Sequence, residues 1–264
     1  TKKDSEDEYI TLDNIFGILI GKCTFYPEEY RAAKASYTAQ EFNLLNDLNN
    51  LTVPTETKKL SEEQKNQIIT NVKNEKAMGP AKLFKYIAKL LSCDVADIKG
   101  YRIDKSDKAE IHTFEAYRKM KTLATIDVEQ MERENLDKLA YVLTLNTEKE
   151  GIQEALEHEF ADGTFSQEQI DELVQFRKAN SSIFGKGWHS FSVKLMMELI
   201  PELYATSEEQ MTILTRLGKQ KTTSSSNKTK YIDEKQLTEE IYNPVAAKSV
   251  RQAIKIVNAA IKEY

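Results

Sequence analysis

The chain has 264 residues, of which 40% are hydrophobic and 30% are charged, a balance that suits a folded protein and excludes a wholly disordered one. Only 9 glycines, 5 prolines and 2 cysteines are present, which argues against a turn-rich sandwich or barrel and excludes a disulfide framework. The formal net charge of −5 by itself argues against a nucleic acid as partner. No apolar run approaches the roughly 20 residues that span a bilayer.

Helix-start signals and helical spacing of apolar residues predict an all-α chain of many short helices. Helices are expected at about 11–20, 36–50, 81–92, 114–124, 128–145 and 192–204. Capping boxes predict further starts at Ser61–Gln64, Thr147–Glu150, Ser166–Gln169 and Ser207–Gln210. Pro201 is expected to bend or end its helix, and only residues 99–113 alternate as a short β-hairpin would.

The composition also suggests a division of the chain. Residues 1–217 are predicted to form a helical domain, in which a break between two subdomains is expected near 122–150. Residues 218–238 are polar and basic and are predicted to be a linker. Residues 239–264 are predicted to contain a helix from Pro244 with one apolar face, which requires a partner surface.

The net charge hides strong segregation along the chain. Residues 58–121 carry +6 and residues 173–232 carry +5, whereas residues 122–172 between them carry −11. A polyanion responds to the local field over about 8–10 Å rather than to the total charge. Solvated helix faces would give the same alternation, so the charge pattern leaves both interpretations open.

No catalytic motif is present. The three histidines, His112, His158 and His189, lie far apart, and no HExxH, GxGxxG, Walker or GxSxG pattern occurs. We therefore expect neither an active site nor a bound cofactor within these residues.

Two segments differ from ordinary amphipathic helix. Residues 21–31 combine a glycine with a threonine, three aromatic and two basic residues, and residues 184–192 combine two glycines with Trp188, His189 and a lysine. Glycines allow a phosphate or sugar to approach the backbone, and aromatic with basic side chains suit stacking and phosphate contact. The alternative is that both segments are aromatic loops that plug helix ends.

The segment 21–31 resembles the G-x-C-T-[FY]-x-P-E-x-x-R stretch of compact type II-A CRISPR-associated RNA-guided DNA endonucleases, the Cas-nine family. Further blocks at 39–51, 97–102, 187–192 and 243–264 match in the same order, so the resemblance covers nearly the whole chain from about residue 12.

This resemblance implies that the chain is a non-catalytic piece of a bacterial, cytoplasmic endonuclease. It would form the later part of the helical recognition lobe and continue, in residues 239–264, into the helix before the second RuvC segment. The nuclease residues, and the magnesium they would use, lie outside these positions. The expected partners are the guide RNA, the target DNA strand, the rest of the endonuclease and an anti-CRISPR protein, and no membrane is expected.

In that family the lobe cradles the guide RNA–target DNA heteroduplex by its backbone, while base pairing reads the sequence. The resemblance implies contacts from seven residues: Phe16, Gly21, Thr24, Arg31, Gly187, Trp188 and His189. Among them Arg31 would be a charge-assisted phosphate donor. The alternative function is a helical protein-interaction module that docks an anti-CRISPR inhibitor or the nuclease lobe.

Overall fold

The computed structural model describes residues 20–145, 149–160, 163–219 and 244–263. These residues fall into two compact units, one formed by the described residues up to 219 and the other by residues 244–263. The predicted helix at 11–20 lies outside the described residues except for Ile20, and most of the predicted linker 218–238 also lies outside them. The predicted domain boundaries stay predictions.

Eleven α-helices and one small sheet are found within these ranges. The first unit contains α1 Tyr37–Asn50, α2 Glu62–Asn74, α3 Pro80–Leu91, β1 Arg102–Ile103, β2 Ala109–Glu110, α4 Glu115–Met120, α5 Arg133–Thr144, α6 Lys149–Glu159, α7 Gln167–Ala179, α8 Ser181–Phe184, α9 Val193–Ala205 and α10 Gln210–Arg216. The second contains α11 Pro244–Glu263. The prediction of an all-α fold with one short β-hairpin is confirmed.

Local capping explains why several helices begin where the sequence predicts. The capping boxes at Ser61 and Ser166 both form, so that each serine accepts the amide proton of the third helical residue. Ser36 caps α1 by accepting from Ala39, and Pro80 occupies the first position of α3.

Two local predictions change, and the prediction that Pro201 bends or ends its helix is narrowed. The box at Ser207–Gln210 is wrong, because Glu209 is the N-cap of α10 and Asn46 of α1 supplies the acceptor for the amide of Gln210 at 2.9 Å. The helix predicted at 128–145 is interrupted, since a 3-10 turn Val128–Gln130 precedes α5. Pro201 does not end α9, which continues to Ala205. The box predicted at Thr147 lies outside the described residues.

The helix α1 is the centre of the first unit. Its residues Phe42, Leu44, Leu45 and Leu48 are all fully buried, although they point to different sides of the helix. A helix with apolar residues on several sides is buried by neighbours all round. The helices α2, α4, α5 and α9 pack against α1 and thereby form one continuous core.

The β-hairpin is attached to the end of α1 through Gly100. The strands pair antiparallel, with Arg102 opposite Glu110, and the residue before Gly100 exchanges two backbone hydrogen bonds with Thr52. Gly100 has φ +83, and a Cβ at this position would lie 2.3 Å from the carbonyl oxygen of Asn50. Only glycine permits this close approach of the two backbones.

Candidate nucleic-acid interface

The two segments singled out in the sequence meet in space. We name residues 21–34 loop A and residues 185–192 loop B. Ala33 and Trp188 form an antiparallel bridge between them. The backbone hydrogen bonds that join the loops run from Thr24 N to Ser190 O (3.0 Å), Ala32 N to Phe191 O (2.8 Å), Lys34 N to Gly187 O (3.0 Å) and His189 N to Ala32 O (2.8 Å). Segments more than 150 positions apart therefore form one surface, which we call the paired loops.

Within loop A, the chain turns back on itself and fixes the side chain of Arg31. The amide of Arg31 donates to the carbonyl of Gly21 at 3.1 Å, and its Nε donates to the carbonyl of Lys22 at 3.0 Å. Arg31 is exposed, and the two terminal nitrogens of its guanidinium form no hydrogen bond with a described residue. Five N–H donors allow an arginine to be anchored by Nε and still bind an anion with its outer edge.

Thr24 and Gly187 act through the backbone of the paired loops. The hydroxyl of Thr24 donates to Ser190 O at 3.0 Å, in addition to the bond made by its amide. Gly187 has φ +75, and a Cβ there would have no atom within 4 Å. The backbone at Gly187 is therefore open to a ligand, and a left-handed conformation here favours glycine.

An aromatic cluster lies beneath the paired loops and fixes them to α1. The ring of Phe191 lies 5.4 Å from Phe25, 5.8 Å from Phe42 and 5.3 Å from His189, measured between centroids and in edge-to-face geometry. His189 also contacts Phe42 at 5.9 Å. Such contacts between rings add to the free energy of apolar burial.

His189 is a neutral acceptor in this cluster. Its Nδ1 accepts the amide proton of Phe191 at 3.1 Å. Burial, with electrostatic repulsion from the neighbouring Lys34 and His112, lowers the pKa of His189 to about 4. An imidazole with this pKa is uncharged at neutral pH, so the side chain positions loop B rather than supplying positive charge.

Trp188 lies half-buried at the edge of the paired loops, and its ring lies 5.5 Å from that of Tyr141 on α5. Burial raises the pKa of Tyr141 to about 12, so its hydroxyl stays protonated. Trp188 thus presents a partly exposed apolar face supported by a neutral aromatic neighbour.

The exposed charges of the paired loops are mainly positive. Lys22 lies over the ring of Tyr30, whereas Lys186 is paired with Glu115 at 2.7 Å. Arg31 and Lys34 are exposed, and neither forms an ion pair with a described residue. These two side chains are therefore available to an anion.

Of the seven residues predicted to contact nucleic acid, six lie in the paired loops, and Phe16 lies outside the described residues. Sequence reasoning missed Lys34, which lies beside His189, and Tyr26, whose hydroxyl donates to Glu198 at 2.6 Å. Lys34 follows Ala32 and Ala33 in the sequence, and this local pattern does not mark Lys34 as a site residue. Lys34 joins the surface only because loop A pairs with loop B.

In the described ranges, no group of three or more histidine, cysteine, aspartate or glutamate side chains could hold a metal ion. Among the same residues, no helix is both long and apolar enough to span a membrane.

The protein-family model of the Cas9 alpha-helical lobe domain matches residues 17–212 of this chain. The chain belongs to the Cas9 alpha-helical lobe family. It is 92% identical over 96% of its length to CRISPR-associated endonuclease Cas9 1 of Streptococcus thermophilus, and 33% identical over 94% of its length to Cas9 of Staphylococcus aureus. The chain spans 23% of the length of each of these Cas9 relatives.

Solved Cas9 structures agree with this family. The crystal structure of S. thermophilus Cas9 in complex with the AGAA PAM matches 98% of this chain and 24% of that chain, with a TM-score of 0.77 and 85% identity. The cryo-EM structure of the St1Cas9–sgRNA–tDNA59–ntPAM complex also covers 98% of this chain and 30% of that chain, with a TM-score of 0.77 and 88% identity. Campylobacter jejuni Cas9, at 22% identity and a TM-score of 0.56, shares the fold.

Proposed function

We propose that this chain is the recognition-lobe part of an RNA-guided DNA endonuclease and binds the guide RNA–target DNA heteroduplex by its backbone. The observation that carries the proposal is the pairing of loops A and B into one surface with available cations, in a chain of the Cas9 alpha-helical lobe family. Phosphate contacts of this kind position a duplex without reading its sequence.

The geometry supports three kinds of backbone contact. Arg31 and Lys34 supply charge to phosphates, since both are exposed and free of described ion pairs. The open backbone at Gly187 allows a sugar or phosphate to approach closely. The half-buried ring of Trp188 offers an apolar face to a sugar. Thr24 and His189 contribute by holding the loops together.

The similar S. thermophilus proteins support the proposed partners. Their structures are described as complexes with a PAM, with sgRNA and tDNA59, and with AcrIIA6. At 84–92% identity, we infer that the full-length protein containing this chain binds a guide RNA and a target DNA and cleaves DNA. We place its nuclease residues and their magnesium outside these 264 residues, and the protein itself in the bacterial cytoplasm.

The test replaces the two available cations in the full-length protein loaded with guide RNA. Arg31→Ala and Lys34→Ala are each expected to weaken target binding several-fold and to reduce the slope of log K against log salt by about one, because each removes a phosphate contact. The matched control is Lys178→Ala, an exposed lysine on α7 outside the paired loops. The effect should be the same for unrelated guide sequences.

Unchanged affinity in both loop variants would contradict the proposal, as would a loss confined to particular guide sequences.

The second candidate function, docking of an anti-CRISPR protein, is suggested by the St1Cas9 structure that contains AcrIIA6. A hydrophobic protein interface does not weaken log-linearly with salt, so the same salt series separates the two functions.

A further inference from the structure

Two neighbouring residues of α1, Asn46 and Asp47, each hold a segment that is tied to the paired loops. We propose that Asn46 and Asp47 are positioning residues of the nucleic-acid interface, Asn46 through α10 and Asp47 through the β-hairpin. This inference rests on the function proposed above, because the paired loops are the surface that the two residues would position.

Asn46 caps α10 from another helix. Its Nδ2 donates to the carbonyl of Phe42 at 3.0 Å within α1. Oδ1 then accepts the amide proton of Gln210, the first residue of α10, at 2.9 Å. The N-cap residue of α10, Glu209, makes no side-chain capping bond of its own. The position of α10 therefore depends on an acceptor in α1.

The other end of α10 is connected to loop A. Lys219, three residues after α10 ends, donates to Glu198 at 2.9 Å and contacts the hydroxyl of Tyr26. That hydroxyl donates to Glu198 at 2.6 Å, and Tyr26 is a residue of loop A. A shift of α10 is therefore transmitted to loop A through this polar group of three side chains.

Asp47 holds the β-hairpin and the residues that follow it. Its carboxylate accepts from the backbone amide of His112 at 2.8 Å and from Nε of Arg102 at 3.2 Å, and it lies 2.6 Å from Nδ1 of His112. Burial would raise the pKa of Asp47, but the hydrogen bonds and charges of His112 and Arg102 outweigh it and hold the pKa below its usual value. Asp47 is thus an ionised clamp on the hairpin.

The segment that follows the hairpin reaches loop B. Glu115, three residues after His112, is the first residue of α4 and pairs with Lys186 of loop B at 2.7 Å. One turn of α1 therefore holds two segments. The first, α10, is connected to loop A through Lys219, and the second, the hairpin, is connected to loop B through Glu115. Neither Asn46 nor Asp47 supplies positive charge, so their loss would change the geometry of the interface and leave its cations in place.

The experiment compares Asn46→Ala, Asp47→Ala and the control Asn66→Ala in the full-length protein with guide RNA. Asn66 on α2 makes the same bond to the carbonyl four residues before it, at 3.1 Å to Glu62, but it caps no other helix among the described residues. Three quantities are measured together: the target affinity of the active fraction, the size of that fraction, and the slope of log K against log salt. Both α1 variants are expected to bind about tenfold more weakly with a shallower salt slope, as when phosphate contacts are lost. The control should match the wild type.

A fourth variant, Asn46→Asp, loses the donor to Phe42 but keeps an oxygen acceptor for Gln210, and it should restore binding to within about threefold of the wild type. The proposal is overturned if Asn46→Ala and Asp47→Ala lower only the melting temperature or the active fraction, or if Asn46→Asp binds as weakly as Asn46→Ala. Arg31→Ala separates this result from a failure of the proposed function. If Arg31→Ala weakens binding and the α1 variants do not, only the positioning role fails.

Discussion

The imidazole of His189 is enclosed by the rings of Phe42 and Phe191, and its Nδ1 is occupied by a backbone amide. Protonation would place a positive charge in this cluster near Lys34 and would convert Nδ1 from an acceptor into a donor. The same side chain therefore stabilises loop B at neutral pH and opposes its folded position in acid.

This arrangement predicts a loss of stability in acid. The folded pKa of about 4 lies below the unfolded value of 6.5, so the unfolded chain binds more protons between these values. The free energy of unfolding should therefore fall as pH falls from 6.5 to 4, by on the order of 2–3 kcal/mol from this group. Urea unfolding of the chain at a series of pH values measures this change in the free energy of unfolding.

His189→Asn tests the assignment, because the amide oxygen can still accept from Phe191 but does not titrate. This variant should be less stable than the wild type at pH 7, since the ring packing is lost, and should show a flatter pH dependence. His158→Asn, which alters an exposed histidine outside the aromatic cluster, is the matched control. An equal slope in the wild type and His189→Asn would refute the assignment.

Lys65 shows how much of a buried contact can be predicted from the sequence. Lys65 lies in the apolar stripe of α2 with Ile68, Ile69 and Val72, and it is 1% exposed. Its ammonium donates to the carbonyls of three residues at and beyond the end of α9: Leu203, Tyr204 and Thr206. A lysine in an apolar stripe signals a buried partner, but the sequence does not say which helix end supplies it.

At the scale of elements, the attachment of the hairpin to α1 depends on one glycine. Gly100→Ala is expected to destabilise the chain by roughly 2–4 kcal/mol, because the added Cβ meets the carbonyl of Asn50 and φ is positive. Gly79→Ala is the matched control, since its φ is −118 and its Cβ would have no atom within 4 Å. Its cost should stay below about 1 kcal/mol, as for a changed N-cap.

Urea unfolding of the two alanine variants measures this difference. Equal destabilisation by Gly100→Ala and Gly79→Ala would show that the close approach of the hairpin to α1 does not determine the stability of the element.

Local signals explain which elements could be predicted. Helix starts at Ser36, Ser61 and Ser166 depend on side chains within three residues, and all three form. The predicted start at Ser207 failed because the acceptor that begins α10 belongs to Asn46, 164 positions away. Capping inside one segment is visible in a sequence, whereas capping by another helix requires the tertiary structure.

At the scale of the whole molecule, the net charge of −5 does not describe the surface that the proposed ligand would meet. Two exposed cations, Arg31 and Lys34, both belong to the paired loops, where a phosphate bound to this surface would experience them at short range. The glycine and aromatic residues of both loops could be recognised in the sequence and by family resemblance. The pairing of loop A with loop B could not be predicted, because its backbone hydrogen bonds join residues whose local sequence patterns are unrelated.

Loops A and B are proposed to act as one heteroduplex-binding surface. Hydrogen–deuterium exchange of the full-length protein with guide RNA, recorded with and without target DNA, tests it most directly. We expect the amides of residues 21–34 and 185–192 to become protected together when the target binds, while those of α7 do not change. Protection of only one loop, or of neither, would contradict the account.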